Sequence, residues 1–336
     1  VESIAIDLCN RVRNGDSGQA AVTESTPADA LQFAAFLEGH GFQSATPEEV
    51  ELADIGDVLT NDNLLDLMGC ECLTKETHIP FVAIPTTAGT GSEATSVAVI
   101  RNPELNIKME YISQQLMPDV AILDPKMTKT LPPRITASTG MDTLCHAIEA
   151  FSCLQKNPLS DAYAAQAIEL VRDYLLKAVC HGYSKEARLA MANASFLAGA
   201  AFSNSMVGVV HAIGHALGGV CHVAHGDAMT ILLPTGMLFN RKVCKKEYAK
   251  LLLYLAGPEI YVKTPEEKRA DRAIHEVLAL GNRLTGLPVT LKEAGVDPAS
   301  FPEVAKVALN DGAVIVNPRQ VTYDAVIRIL EVCYGD

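Results

Sequence analysis

The sequence predicts two domains, an α/β domain over residues 1–132 and an all-α domain over residues 133–336. Three observations support this division. The chain has 336 residues, more than one ordinary hydrophobic core accommodates. Short apolar runs in its first part read as strands separated by helical patterns. From about residue 135 onward the periodicity is nearly all helical, with Gly and Pro punctuation such as "LTGLPVTL" and "VNPRQ". The boundary falls at Leu131-Pro132-Pro133.

Taken in order, "PADALQFAAFLEGHGF" (27–42) reads as a helix ending at a Gly cap. "HIPFVAIPTT" (78–87) reads as a buried parallel strand, and "SVAVI" (96–100) and "DVAILDP" (119–125) look similar. The turn after the first of these, "PTTAGTGSEATS" (85–96), combines two glycines with a row of hydroxyls. Small residues let a backbone approach an anion and hydroxyls donate to phosphate or amide, so a polar strand-to-helix turn and a nucleotide contact are both open readings. It matches neither G-x-x-x-x-G-K-[ST] nor G-x-G-x-x-G. "STGMDTLCHAIEAF" (138–151) reads as a helix capped by Ser138 or Thr139, and "LAMANASFLAGAAFSNSMVGVV" (189–210) as a buried helix.

Composition narrows the function. Hydrophobic residues make up 49% of the chain and charged residues 20%, as in a folded globular protein. The net charge of −13 argues against nucleic acid or an anionic membrane surface as partner. Nine cysteines, with only an isolated Cys70-x-Cys72 pair, fit free thiols in a reducing cytoplasm. No signal peptide and no bilayer-length apolar run is visible.

The chemistry concentrates in "HAIGHALGGVCHVAHG" (211–226), which holds four of the nine histidines. His211 and His215 are four apart and share a helical face. His225 lies fourteen residues after His211, about 21 Å along a continuous helix. That exceeds the reach of one ion, so the chain must break if both bind, and Gly218-Gly219 supplies a break. A return segment then ends at His225-Gly226, while His222 stays ambiguous. Upstream, Asp142 and His146 form a second i,i+4 pair. Two such pairs on separate helices can converge on one metal ion. Neutral imidazole is the commonest nitrogen ligand for Zn, Fe and Ni, one carboxylate adds charge balance, and an apolar setting makes unpaired His and Asp costly. H-E-x-x-H is absent, since Ala212 follows His211, which excludes the zinc metalloprotease pattern.

"IPTTAGTGSEATS", "MPDVAILDP", "GMDTLCHAIEAF", "HAIGHALGGVCHVAHGDAMTILLP" and "NDGAVIVNPRQVTYDAVIRIL" together resemble the iron-containing, group III alcohol dehydrogenase family over residues 80–336. The resemblance implies an N-terminal nucleotide-binding domain and a helical C-terminal metal-binding domain, the architecture shared with dehydroquinate synthase. It implies one divalent metal, Fe²⁺ or Zn²⁺, held by Asp142, His146, His211 and His225. It places His215 near the nicotinamide and substrate, and Thr86, Thr87, Thr90 and Lys108 against the cofactor. The implied reaction is reversible hydride transfer between a small primary alcohol or diol and NAD(P), in a homodimer or higher homo-oligomer. The family's G-G-G-S pyrophosphate turn has no intact counterpart. Its ungapped position is "GHGFQS", Gly39–Ser44, so weak NAD(H) binding through the threonine loop is expected. A lyase or cyclase of the dehydroquinate synthase type would want Lys and Arg near the metal, where Ala, Leu, Ile and Val dominate. A metal-binding protein that has lost its cofactor is the remaining alternative.

Overall fold

The computed structural model describes residues 64–70, 81–102 and 107–335. The helix read at 27–42, the turn at Gly39–Ser44 and Cys72 lie outside the described residues. The strands are β1 (Gly69–Cys70), β2 (Val82–Ala83), β3 (Val97–Asn102), β4 (Ile107–Ile112) and β5 (Val120–Ala121). β2 and β5 pair in parallel, as their apolar runs suggest. A second sheet has the order β1-β4-β3. There the reading of "SVAVI" as a buried parallel strand is corrected: β3 runs antiparallel to β4, with Ala98 opposite Tyr111, and Val99 is 45% exposed. The link of residues 103–106 is too short for the crossover that a parallel neighbour needs.

The helices are α1 (Pro133–Ser152), α2 (Pro158–Cys180), α3 (Lys185–Ser203), α4 (Val209–Cys221), α5 (His225–Asn240), α6 (Lys245–Ala256), α7 (Pro258–Lys263), α8 (Arg269–Arg283), α9 (Phe301–Leu309), α10 (Ala313–Val316) and α11 (Tyr323–Tyr334). Among the described residues, none is long and apolar enough to cross a membrane. α1 is the central helix: every residue from Met141 to Ser152 is buried, and α2, α3 and α5 pack around it. A helix apolar all round belongs in the middle of a bundle. Ser138 and Thr139 do not cap it. The helix starts a turn earlier at Pro133, where the missing N–H costs nothing, and Thr139 Oγ1 donates to the Ile135 carbonyl inside it at 2.9 Å. Buried Arg188 from α3 anchors this start, donating to the Leu131 carbonyl, Thr136 Oγ1 and the Gly182 carbonyl.

Two breaks differ from the sequence reading. The run 189–210 is not one helix, because the chain turns between Ser203 and Val209 with Met206 at φ 70°. Gly218-Gly219 does not end α4, which runs through both glycines. The turn comes at His222, left-handed at φ 57°, and His225 is the first residue of α5 rather than the end of a return segment.

The threonine-rich turn is seated on the helical domain. Thr143 Oγ1 donates to the carbonyls of Ala88 and Gly89, both at 3.3 Å. Gly91, at φ 63°, lies against Gly199 of α3, backbone to backbone, leaving no room for a Cβ on either. Gly199→Ala is therefore expected to destabilise the protein by about 1–3 kcal/mol. A lowered denaturant midpoint at unchanged slope would show it.

Candidate metal centre

Three helices bring the predicted set together. α1 carries Asp142 and His146 one turn apart, α4 carries His211 and His215, and α5 opens with His225. Asp142, His146 and His211 each offer a ligand atom within 4.8 Å of the others, and all three are buried. Asp142 Oδ1 stands 3.5 Å from His146 Nδ1, 3.7 Å from His211 Nε2 and 3.4 Å from His225 Nε2. Two ligands at about 2.1 Å from a tetrahedral ion are themselves about 3.4 Å apart. Asp142 Oδ1, His146 Nδ1 and His211 Nε2 are buried with no hydrogen-bond partner. Buried polar atoms are normally satisfied, and one cation among them would satisfy this group. His225 flanks the tighter set, with 27% of its side chain exposed. His222 is exposed and ends α4 in the left-handed conformation.

The electrostatics suit a cation. Burial drives His146 down to about 3 and His225 down to about 4, against the pull of Asp142, so both rings are neutral with lone pairs at pH 7. Burial would raise Asp142, but the nearby histidines His146, His225 and His211 hold it well below the ordinary carboxylate range. For His211, burial is outweighed by the carboxylates of Asp142 and Glu149, and its pKa is raised. Phe202 stacks on His146 at 4.5 Å between ring centres and closes that side with apolar surface.

Around this set lie groups that the sequence reading missed. Glu149 Oε2 is 2.7 Å from His211 Nδ1, and the same carboxylate accepts backbone N–H bonds from Gly208, Val210 and His211. Its position, three after His146 and seven after Asp142 on one helical face, was a readable signal. Asp311 Oδ2 pairs with His215 Nδ1 at 2.8 Å, and His215 stacks on His225 at 5.3 Å. Burial would raise Asp311, but the bond to His215 lowers it. Nothing in the spacing pointed to Asp311, 96 residues away. Arg134 and Ser138 of α1 both donate to Asp227, two residues beyond His225.

The expected cofactor residues are placed as follows. Thr86 is buried, Thr87 half-buried and Thr90 exposed, all on the turn held by Thr143, the neighbour of Asp142. Thr90 Oγ1 accepts from the Ser92 N–H at 3.3 Å. Lys108 lies in β4, its backbone opposite Arg101.

A buried Asp/His set in a helical bundle, next to a short parallel strand pair with a hydroxyl-rich turn, has the make-up of a metal-binding site beside a polar loop. The comparisons carry this further. Residues 136–334 match the Fe-containing alcohol dehydrogenase family, C-terminal, and residues 54–125 match iron-containing alcohol dehydrogenase. The chain belongs to this family. It is 38% identical to alcohol dehydrogenase 4 of Saccharomyces cerevisiae over 263 residues, 78% of this chain and 66% of that protein. It is also 38% identical to the NAD-dependent methanol dehydrogenase of Bacillus methanolicus over 278 residues, 82% of this chain and 72% of that one. The chain thus spans about two thirds of the length of such curated relatives. The crystal structure of a 1,3-propanediol oxidoreductase superposes with a TM-score of 0.88 at 30% identity, covering 97% of this chain and 95% of that one. An α/β unit followed by a helical domain is therefore the architecture here.

The two depressed histidines set a pH window. On unfolding both return to about 6.5, so below that pH the unfolded chain binds protons that the folded chain refuses. Stability of the metal-free protein is then full above about pH 6.5 and is lost as pH falls toward 4. The raised pKa of His211 acts above this window, and the depressed pKa of Asp142 acts below it. Urea titrations at pH 7, 6, 5 and 4 should show this slope, and His146→Asn should flatten it.

Proposed function

We propose that this chain is a metal-dependent, NAD(P)-linked alcohol dehydrogenase and aldehyde reductase acting on a small, uncharged primary alcohol or diol. The observation that carries the reading is the cluster of buried, unpartnered ligand atoms on Asp142, His146 and His211, with His225 beside them. The donor set, three imidazoles and one carboxylate, fits Fe²⁺ and Zn²⁺ alike. Relatives named as alcohol, methanol and 1,3-propanediol dehydrogenases support the substrate class, and the NAD-dependent relative supports a nicotinamide cofactor. A homodimer or higher homo-oligomer is the proposed assembly, and Leu131–Pro133, just before α1, is the proposed domain boundary.

A divalent ion bound by Asp142, His146, His211 and His225 would act as a Lewis acid on the alcohol or carbonyl oxygen. The remaining steps belong to the chain. Asp311 holds Nδ1 of His215, which fixes the ring and leaves its far edge to receive or return the alcohol proton. Thr86, Thr87, Thr90 and Lys108 would hold the nicotinamide nucleotide, which would supply the hydride acceptor, and pre-ordering two reactants carries much of the rate. Apolar neighbours such as Phe202 exclude water. Arg134, at the start of α1, is engaged with Asp227, two residues past His225, so its charge is already paired.

Purified protein should carry one divalent metal per chain. Elemental analysis should find it lost in His225→Ala and retained in His222→Ala; equal content in both would remove His225 from the set. In a rate panel, short alcohols and diols should outpace hydroxy acids and phosphorylated alcohols. His215→Phe should lower kcat by about a hundredfold with metal content unchanged.

A further inference from the structure

We propose that Glu149 is a positioning residue of the metal centre. It locks His211 with Nδ1 protonated and Nε2 turned to the ion, and supplies the second negative charge that a buried divalent cation requires. This rests on the reading of His211 and Asp142 as ligands.

Glu149 projects from the buried face of α1, one helical turn past His146. Its two oxygens meet only donors. Oε2 accepts from the Gly208 N–H at 3.0 Å, the His211 N–H at 3.2 Å and His211 Nδ1 at 2.7 Å. Oε1 accepts from the Val210 N–H at 2.8 Å. Only an ionised carboxylate accepts on every one of these contacts; a carboxylic acid would point its own O–H at donors. The 2.7 Å contact therefore places the ring proton on Nδ1, since the other tautomer would press a lone pair against the carboxylate. Nε2, buried beside Asp142 without a hydrogen-bond partner, is then the nitrogen left to give its lone pair to a bound ion.

Charge points the same way. Three neutral imidazoles and Asp142 offer a divalent ion one negative charge, and the site is closed to water on most sides. A buried ion left with net charge is costly. Glu149, one imidazole away, completes neutrality without occupying a coordination position. A separate ion held by Cys145, Glu149 and His211 would be the competing use of this carboxylate, but its oxygens are already filled by backbone donors. Cys145, Glu149 and His211 are all buried, with Cys145 Sγ 3.8 Å from His211 Nδ1.

The same group fixes where the ligand helix begins. The first N–H groups of α4 have no partners within the helix. Glu149 takes those of Val210 and His211, and Asn317 Oδ1 takes that of Val209 at 3.1 Å. Asn317 thus shares the capping task but does not touch the ring of His211, which makes it the internal control.

The test uses the whole chain as wild type, Glu149→Gln and Asn317→Ser. Zn²⁺ and Co²⁺ dissociation constants are measured by competition with a chromogenic chelator, beside the Co²⁺ absorption spectrum and the thermal midpoint. Glu149→Gln should weaken both metals by about 10–100-fold and alter the Co²⁺ spectrum. Asn317→Ser should lower the midpoint while leaving metal affinity in place. Equal affinity and an unchanged spectrum in Glu149→Gln would overturn the inference alone. A wild type that binds neither metal would overturn the proposed function first and this inference with it. A readout that needs no variant is ¹⁵N-histidine NMR of the Zn²⁺-loaded wild type. His211 should show a protonated Nδ1, and a protonated Nε2 would overturn the assignment even if Glu149→Gln fails to fold.

Discussion

The arrangement depends on one constraint: a carboxylate and three imidazoles are held inside a bundle of alanines, leucines and methionines, where an unpaired polar atom is expensive. The helices are arranged to meet it. α1 is buried along most of its length and so can present Asp142, His146 and Glu149 to the interior on one face. Small residues let the neighbouring helices come close. Gly226 lies against Ser138, and Gly214 against Met229, with no space for a Cβ at either. A well-packed apolar replacement of such a buried set is often neutral or stabilising, whereas removal of one member leaves its partners uncompensated.

Much of this was legible in the chain. Asp142/His146 and His211/His215 declare themselves by i,i+4 spacing, and helical geometry alone demands a break before His225. The place of that break was not legible. Two consecutive glycines are the stronger local signal, yet α4 continues through them because its buried face is packed there, and His222 takes the left-handed turn instead. Tertiary packing overrode propensity in this case. The parallel strand pair was readable from its apolar runs, whereas the direction of β3 was set by a four-residue link whose length says more than its composition. Asp311 was hidden for a simpler reason: a contact across 96 residues leaves no periodic trace.

The hydroxyl-rich turn and the helix that carries Asp142 are not independent. Thr143, adjacent to Asp142, holds the carbonyls of Ala88 and Gly89, so the turn bearing Thr86, Thr87 and Thr90 is tied at the residue next to the carboxylate. One helix thereby sets the distance between what the turn holds and what the Asp/His set holds. The Thr143 hydroxyl and the Gly91–Gly199 contact both fix the turn against the helices.

The connector between α4 and α5 is only three residues, His222 to Ala224. It acts as a ruler. A helix rotates about 100° for each residue added, so lengthening α4 by one residue would swing His211 and His215 off the face that meets α1. A longer connector would move the start of α5, and His225 with it, past Asp142. Surface loops elsewhere in the molecule can absorb insertions at little cost. This stretch cannot, and its length is therefore as much a part of the active-site specification as the histidines that it separates.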